Sequence, residues 1–142
     1  MTRRRFLQRA SATVAGFFLE GCARDSEEVA ISKDYMRAIL DGDLQNIANI
    51  HYRGNMQDRT FVTLMQGNIK VFSKCKGVGF SNAEVVFTSA DSKNKRVRID
   101  FDRDCQIILD NVGTTRTARK VYIELTRVAE GAYRPSAAPT PL

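Results

Sequence analysis

Arg96-Val97-Arg98-Ile99-Asp100-Phe101-Asp102 alternates charged and apolar side chains without a break. A period of two puts Val97, Ile99 and Phe101 on one face and the charges on the other, the pattern of a half-buried β-strand. Working outward, Glu84-Val85-Val86-Phe87-Thr88 reads as the preceding strand, joined by a turn at Ser89-Ala90-Asp91-Ser92. Gln106 to Leu109 reads as a third short strand or as a continuation after a bulge. Val121, Ile123 and Leu125 mark a last strand running to about Val128. Before Cys75 the period is different. Met36, Ile39, Leu40, Leu44 and Ile47 fall on one helical face, and Phe61, Leu64, Met65, Ile69 and Phe72 repeat the same spacing. Ser32 is the expected N-cap of the first helix, and a turn at His51-Tyr52-Arg53-Gly54 separates the two faces. Helices first and antiparallel strands after them predict an α+β fold.

The 142 residues are 43% hydrophobic and 27% charged, which supports one domain's core and excludes wholesale disorder. No apolar run reaches the roughly 18 residues of a membrane span, which excludes a polytopic membrane protein. The single His removes multi-histidine metal sites. The three Cys include no Cys-x-x-Cys pair, so zinc ribbons and haem attachment motifs go too. No cofactor motif is present.

Tyr35-Met36-Arg37-Ala38-Ile39-Leu40-Asp41-Gly42-Asp43-Leu44 resembles the first-helix signature of the nuclear transport factor 2-like superfamily, an aromatic-x-x-Ala stretch ending in Gly-Asp-Leu. Glu130-Gly131-Ala132-Tyr133-Arg134 is similar to its closing Asp-Gly-x-Trp-Lys turn, with Tyr in place of Trp. The resemblance covers about residues 32–134 and points to the small secreted lipoprotein domains of that superfamily. It implies a cone-shaped, cystatin-like fold, with N-terminal helices packed into a strongly curved antiparallel sheet. The absence of Trp and the proline at Pro135 depart from the pattern.

The first 21 residues read as an address. Thr2-Arg3-Arg4-Arg5-Phe6-Leu7-Gln8 resembles the twin-arginine export consensus, with Arg3, Arg4, Phe6 and Leu7 in register and only Gln8 off pattern. The apolar stretch Ser11–Leu19 would span only about 14 Å as a helix, which suits a signal peptide and not a membrane anchor. Leu19-Glu20-Gly21-Cys22 resembles a lipobox, in which Cys22 becomes the lipidated first residue; Glu20 departs from it. The alternative is cleavage after Ala23, giving a soluble periplasmic protein. Residues 22–31 are then a tether, 32–134 the α+β domain, and 135–142, with all three prolines, a disordered tail. The expected location is the periplasmic face of the bacterial envelope, reached through the twin-arginine translocase and held in the lipid bilayer by Cys22.

An oxidising compartment makes Cys75 and Cys105 a candidate disulfide. Four of the 22 Lys and Arg and one of the 16 Asp and Glu lie in residues 1–21, leaving 18 against 15 in the mature chain. A net charge of +3 is not that of a nucleic-acid binder. If Gln106–Leu109 turns back on the preceding strand, Lys93, Lys95 and Arg96 meet Arg116, Arg119 and Lys120 at one end of the sheet. Such a patch would hold an anionic lipid or an acidic envelope protein.

Catalytic signals are sparse. Asp100-x-Asp102-x-Asp104 mimics the start of a calcium loop, but Cys105 stands where Gly is needed and Asn111 where Glu is needed. These acids read as a solvated strand face paired with arginines. His51, the only imidazole, reads as a helix-end residue on the last carbonyls. Tyr35 and Tyr52 read as helix-face aromatics rather than pocket residues. Lys76-Gly77-Val78-Gly79 is too short for a phosphate loop and precedes a strand. No nucleophile-plus-base spacing stands out. The sequence therefore points to a non-catalytic ligand- or partner-binding domain. The alternatives are a small isomerase or cyclase of the same fold and an accessory subunit of an exported redox complex.

Overall fold

A computed structural model describes residues 25–142. Three helices, α1 (Glu27–Asp41), α2 (Leu44–Ile50) and α3 (Asp58–Val71), precede five strands. These are β1 (Phe80–Thr88), β2 (Asn94–Ile108), β3 (Thr115–Arg127), β4 (Tyr133–Pro135) and β5 (Thr140–Pro141). The antiparallel sheet runs β1-β2-β3-β4, with β5 beside β4 on the free edge of β3. The α+β expectation stands.

The N-cap of α1 lies six residues before the expected one. Ser26 is the N-cap, its Oγ accepting from the Val29 amide at 3.3 Å, and Glu27 and Glu28 fill the first turn where the helix dipole favours acids. Ser32 lies a turn inside, buried, with Oγ donating to the Glu28 carbonyl at 2.8 Å. Residues 27–31, expected in the tether, are therefore helix. Gly42 ends α1 at φ +70, the left-handed conformation that glycine takes most readily. Val29, Tyr35, Met36, Ile39 and Leu40 form the buried side of α1, and Phe61 and Met65 that of α3. Leu64, expected on the same face, is instead exposed.

Of the two readings of Gln106–Leu109, the continuation after a bulge holds and the separate returning strand does not. β2 is one strand of 15 residues, irregular between Asp100 and Cys105, where it advances five residues while β3 advances from Lys120 to Ala118. Surplus residues on one strand bend it and increase its twist. Val97, Ile99 and Phe101 precede the bend and Cys105 and Ile107 follow it, all facing the helices. The bend is pinned at Gly79, whose amide donates to Asp102 Oδ1 at 3.0 Å and whose carbonyl accepts from the Asp102 amide at 2.9 Å. A Cβ at Gly79 would lie 2.5 Å from Asp102 Oδ2. Gly79→Ala should therefore displace the carboxylate and lower unfolding free energy by about 1–2 kcal/mol, read as a lower urea midpoint.

The proline-rich C-terminus is not a disordered tail. Pro135 pairs with Leu125, Thr140 with Tyr122 and Pro141 with Val121. Proline lacks an amide donor and is tolerated on an edge strand. Composition suggested disorder, yet the edge of β3 gives these prolines a place. Cys75, in a short turn after α3, is bonded to Cys105 on β2, with Cα atoms 5.2 Å apart.

Candidate ligand cleft

Tyr35 projects from the middle of α1 into the core and is fully buried. His51 follows the last turn of α2, where its backbone amide donates to the Ile47 carbonyl at 2.9 Å. The imidazole turns inward and not onto the helix carbonyls, so the residue is only 4% exposed. Nδ1 lies 2.9 Å from the Tyr35 hydroxyl, and the ring packs 5.3 Å from that of Phe61. The same hydroxyl is 3.3 Å from the Ala137 carbonyl, in the segment between β4 and β5. Burial pushes the His51 pKa down to about 4, with the Arg53 charge a smaller contribution. Burial also raises that of Tyr35. Both side chains are neutral at pH 7. The expectation of a helix-end side chain on the last carbonyls at His51 is thus corrected.

His51 lines an open cleft of about 360 Å³ between the α2–α3 connection and the β3–β4 turn, together with Tyr52, Arg53, Gly54, Glu130 and Arg134. Arg53 is fixed by Asp58, 2.7 Å from its Nη1, and its guanidinium stacks 4.7 Å above the Phe61 ring. Arg134 donates Nη1 to the Asn49 carbonyl at 3.1 Å. The opposite wall turns at Gly131, φ +87, where the Val128 amide donates to the Ala132 carbonyl at 2.8 Å.

The expected cation patch is not assembled. Lys95 sits opposite Leu125, whereas Lys120 sits opposite Asp100, five rows away along the ladder. That is about 17 Å of strand, because β2 bends and continues instead of folding back. Several of its members are also paired: Lys95 with Glu28, Arg96 with Glu124 at 2.6 Å, and Arg119 with Asp104 at 3.0 Å. Asp100 pairs with Arg98 at 3.0 Å, in keeping with a solvated strand face. Among the described residues no cluster of His, Cys, Asp and Glu is placed to hold a metal ion, and no helix is long and apolar enough to cross a membrane. Arg3, Arg4, Phe6, Leu7 and Cys22 lie outside the described residues.

Sequence reasoning missed the Tyr35–His51 pair. Tyr35 lies on the buried side of a predicted helix and His51 ends the next, so their meeting was within reach of the periodicity. Arg134 was seen only as a turn residue, and Ala137 was assigned to a tail.

No protein-family model and no curated protein matches the chain. Among solved structures it is similar to a candidate ketosteroid isomerase from Shewanella frigidimarina, at 12% identity and TM-score 0.46, over 79% of this chain and 92% of that one. It is similar to a candidate nuclear transport factor 2-like transpeptidase from Campylobacter jejuni, at 8% identity and TM-score 0.47, over 79% of this chain and 99% of that one. A third is the intermembrane space region of the chloroplast protein ARC6, at 12% identity and TM-score 0.43, over 84% of this chain and 98% of that one.

Proposed function

We propose that this chain is an exported bacterial envelope lipoprotein whose domain, of the nuclear transport factor 2-like kind, binds a ligand or partner and does not turn over a substrate. One observation carries the non-catalytic reading. Among the described residues the buried side chains of the sheet are apolar, and the buried polar groups are Ser32, His51 and the Tyr35 hydroxyl. Ser32 is spent on its own helix. An isomerase or cyclase site of this fold would place an acid, His or Tyr inside the cone with its reactive atom free; here Asp102 and Asp104 are exposed, Asp100 pairs with Arg98, and the inward Tyr35 and His51 are bonded to each other. What remains for binding is the open cleft at the rim.

The export reading rests on the Arg3-Arg4 pair, the short apolar stretch and Cys22. Only three residues separate Cys22 from the Ser26 cap, so a lipid there would hold the domain within about 14 Å of the bilayer surface. Cys22→Ser should move the protein from the membrane to the soluble fraction or stall its processing. Unchanged fractionation and maturation would refute lipidation. Lysine at both Arg3 and Arg4 should block export, and normal export would point to the general secretory route instead.

A further inference from the structure

His51 has a second ring nitrogen with no hydrogen-bond partner among the described residues. Nδ1 engages Tyr35, while Nε2 takes part in no hydrogen bond among the described residues, although the residue is 4% exposed and lines the cleft. An unpaired buried polar atom costs about 1–3 kcal/mol, so a ligand atom that meets it recovers that cost. The two arginines in the same lining are already anchored, Arg53 by Asp58 and Phe61, Arg134 by the Asn49 carbonyl. Anchored guanidinia give up little freedom on binding and keep donors for an incoming oxygen. Glu130 is the only acid in the lining, 3.8 Å from Arg134 Nε, and it leaves the lining with an excess positive charge. A volume of about 360 Å³ suits a small molecule.

We infer that the cleft binds a small oxyanion, with one oxygen accepting from His51 Nε2–H and the others from Arg53 and Arg134. Tyr35 makes the switch to that tautomer cheap. Its single proton has two acceptors in reach, Nδ1 at 2.9 Å and the Ala137 carbonyl at 3.3 Å. With the phenol turned to Ala137, the imidazole proton sits on Nδ1 and donates to the phenol oxygen, so Nε2 offers a lone pair. With the phenol turned to Nδ1, the imidazole proton sits on Nε2. An oxyanion selects the second arrangement, in which the imidazole stays neutral and keeps its hydrogen bond to Tyr35. Carboxylates and phosphates share the required chemistry. This inference rests on reading the domain as a binding module and is independent of export or lipidation.

The chain has one histidine, so its nitrogen resonances are unambiguous. The full chain, labelled with ¹⁵N-histidine at pH 7, is titrated with sodium acetate and separately with sodium phosphate, sodium chloride holding ionic strength constant. The Nε2 resonance should move saturably toward the protonated-nitrogen position while Nδ1 moves the opposite way. Saturation by acetate alone makes the ligand a carboxylate, and saturation by phosphate alone makes it a phosphate. Arg134→Gln and Arg53→Gln should each weaken binding about tenfold, the effect of losing one charge-assisted contact. A response reproduced by chloride alone, or none with either anion, overturns the inference. So does undiminished binding in both folded variants. If a variant fails to fold, the parent titration still decides. Loss of this site would leave the Cys22 fractionation result untouched, so the two readings fail separately.

Discussion

Replacing Cys75 and Cys105 together by alanine should lower the unfolding free energy by about 3–4 kcal/mol. The bond joins residues 30 apart in sequence, and that loop length sets the chain-entropy contribution. Its position adds to the effect. Cys75 lies in the turn that leaves α3, and Cys105 begins the inward-facing run after the bend in β2. Both are almost fully buried, so the link ties the end of the helical layer directly to the sheet. Alanine leaves two small gaps but no buried polar group. For a domain of this size the melting temperature should drop by roughly 10–15 °C. Urea melts with and without reductant provide the check. Reductant should bring the parent close to the double variant and leave the variant unmoved. A parent midpoint insensitive to reductant after complete thiol exposure would show that the bond contributes nothing.

The elements that sequence made legible are those whose own periodicity carries them. Val97, Ile99 and Phe101 alternate strictly, and all three are buried. Met36, Ile39 and Ile47 keep the helical spacing, and all three are buried. The turn before Tyr133 is legible only through the resemblance of residues 130–134 to a family motif, and Gly131 takes φ +87 there. What escaped depends on contacts distant in sequence. Asp102-Arg103-Asp104 looks like the end of a strand because three exposed residues interrupt the alternation. Only the Gly79–Asp102 contact, 23 residues apart, shows that the chain bends and continues. The apparent cation patch depends on the other open reading, in which Gln106–Leu109 turns back as a separate strand. Pro135, Pro139 and Pro141 look like disorder until the free edge of β3 is seen beside them. His51 was misplaced for a similar reason: a polar residue after a helix usually faces water, and here Tyr35 supplies a buried partner.

Acid should destabilise the protein through His51 before most of its carboxylates titrate. The imidazole has an ordinary pKa of 6.5 in the unfolded chain and about 4 in the fold. A depressed folded value means the native state binds fewer protons than the unfolded state between those two values. Stability is therefore full above about pH 6.5 and falls as pH drops toward 4, by up to about 3 kcal/mol if the whole shift is realised. Glu28, held below its usual range chiefly by its hydrogen bond to Lys95, contributes a separate loss at lower pH. Comparison with His51→Gln isolates the histidine, because that amide keeps a partner for Tyr35 and does not titrate. Denaturant midpoints of the parent should decline across pH 6.5 to 4 while those of the variant stay nearly level, both falling together below that. An imidazole titrating near 6.5 in the folded parent, or parallel midpoint curves for the two proteins, would contradict the burial argument. The first damage has a definite place. Protonation puts donors on both ring nitrogens, so Tyr35 can only accept from Nδ1 and must turn its own proton to the Ala137 carbonyl. The added charge sits beside Arg53 and against Phe61, and beyond the edge that lines the cleft water reaches the ring only by parting the segment around Ala137 from α1. Protection of the Ser136 amide, which donates to the Glu124 carbonyl at 3.0 Å, should therefore be lost at higher pH than that of the β2–β3 ladder.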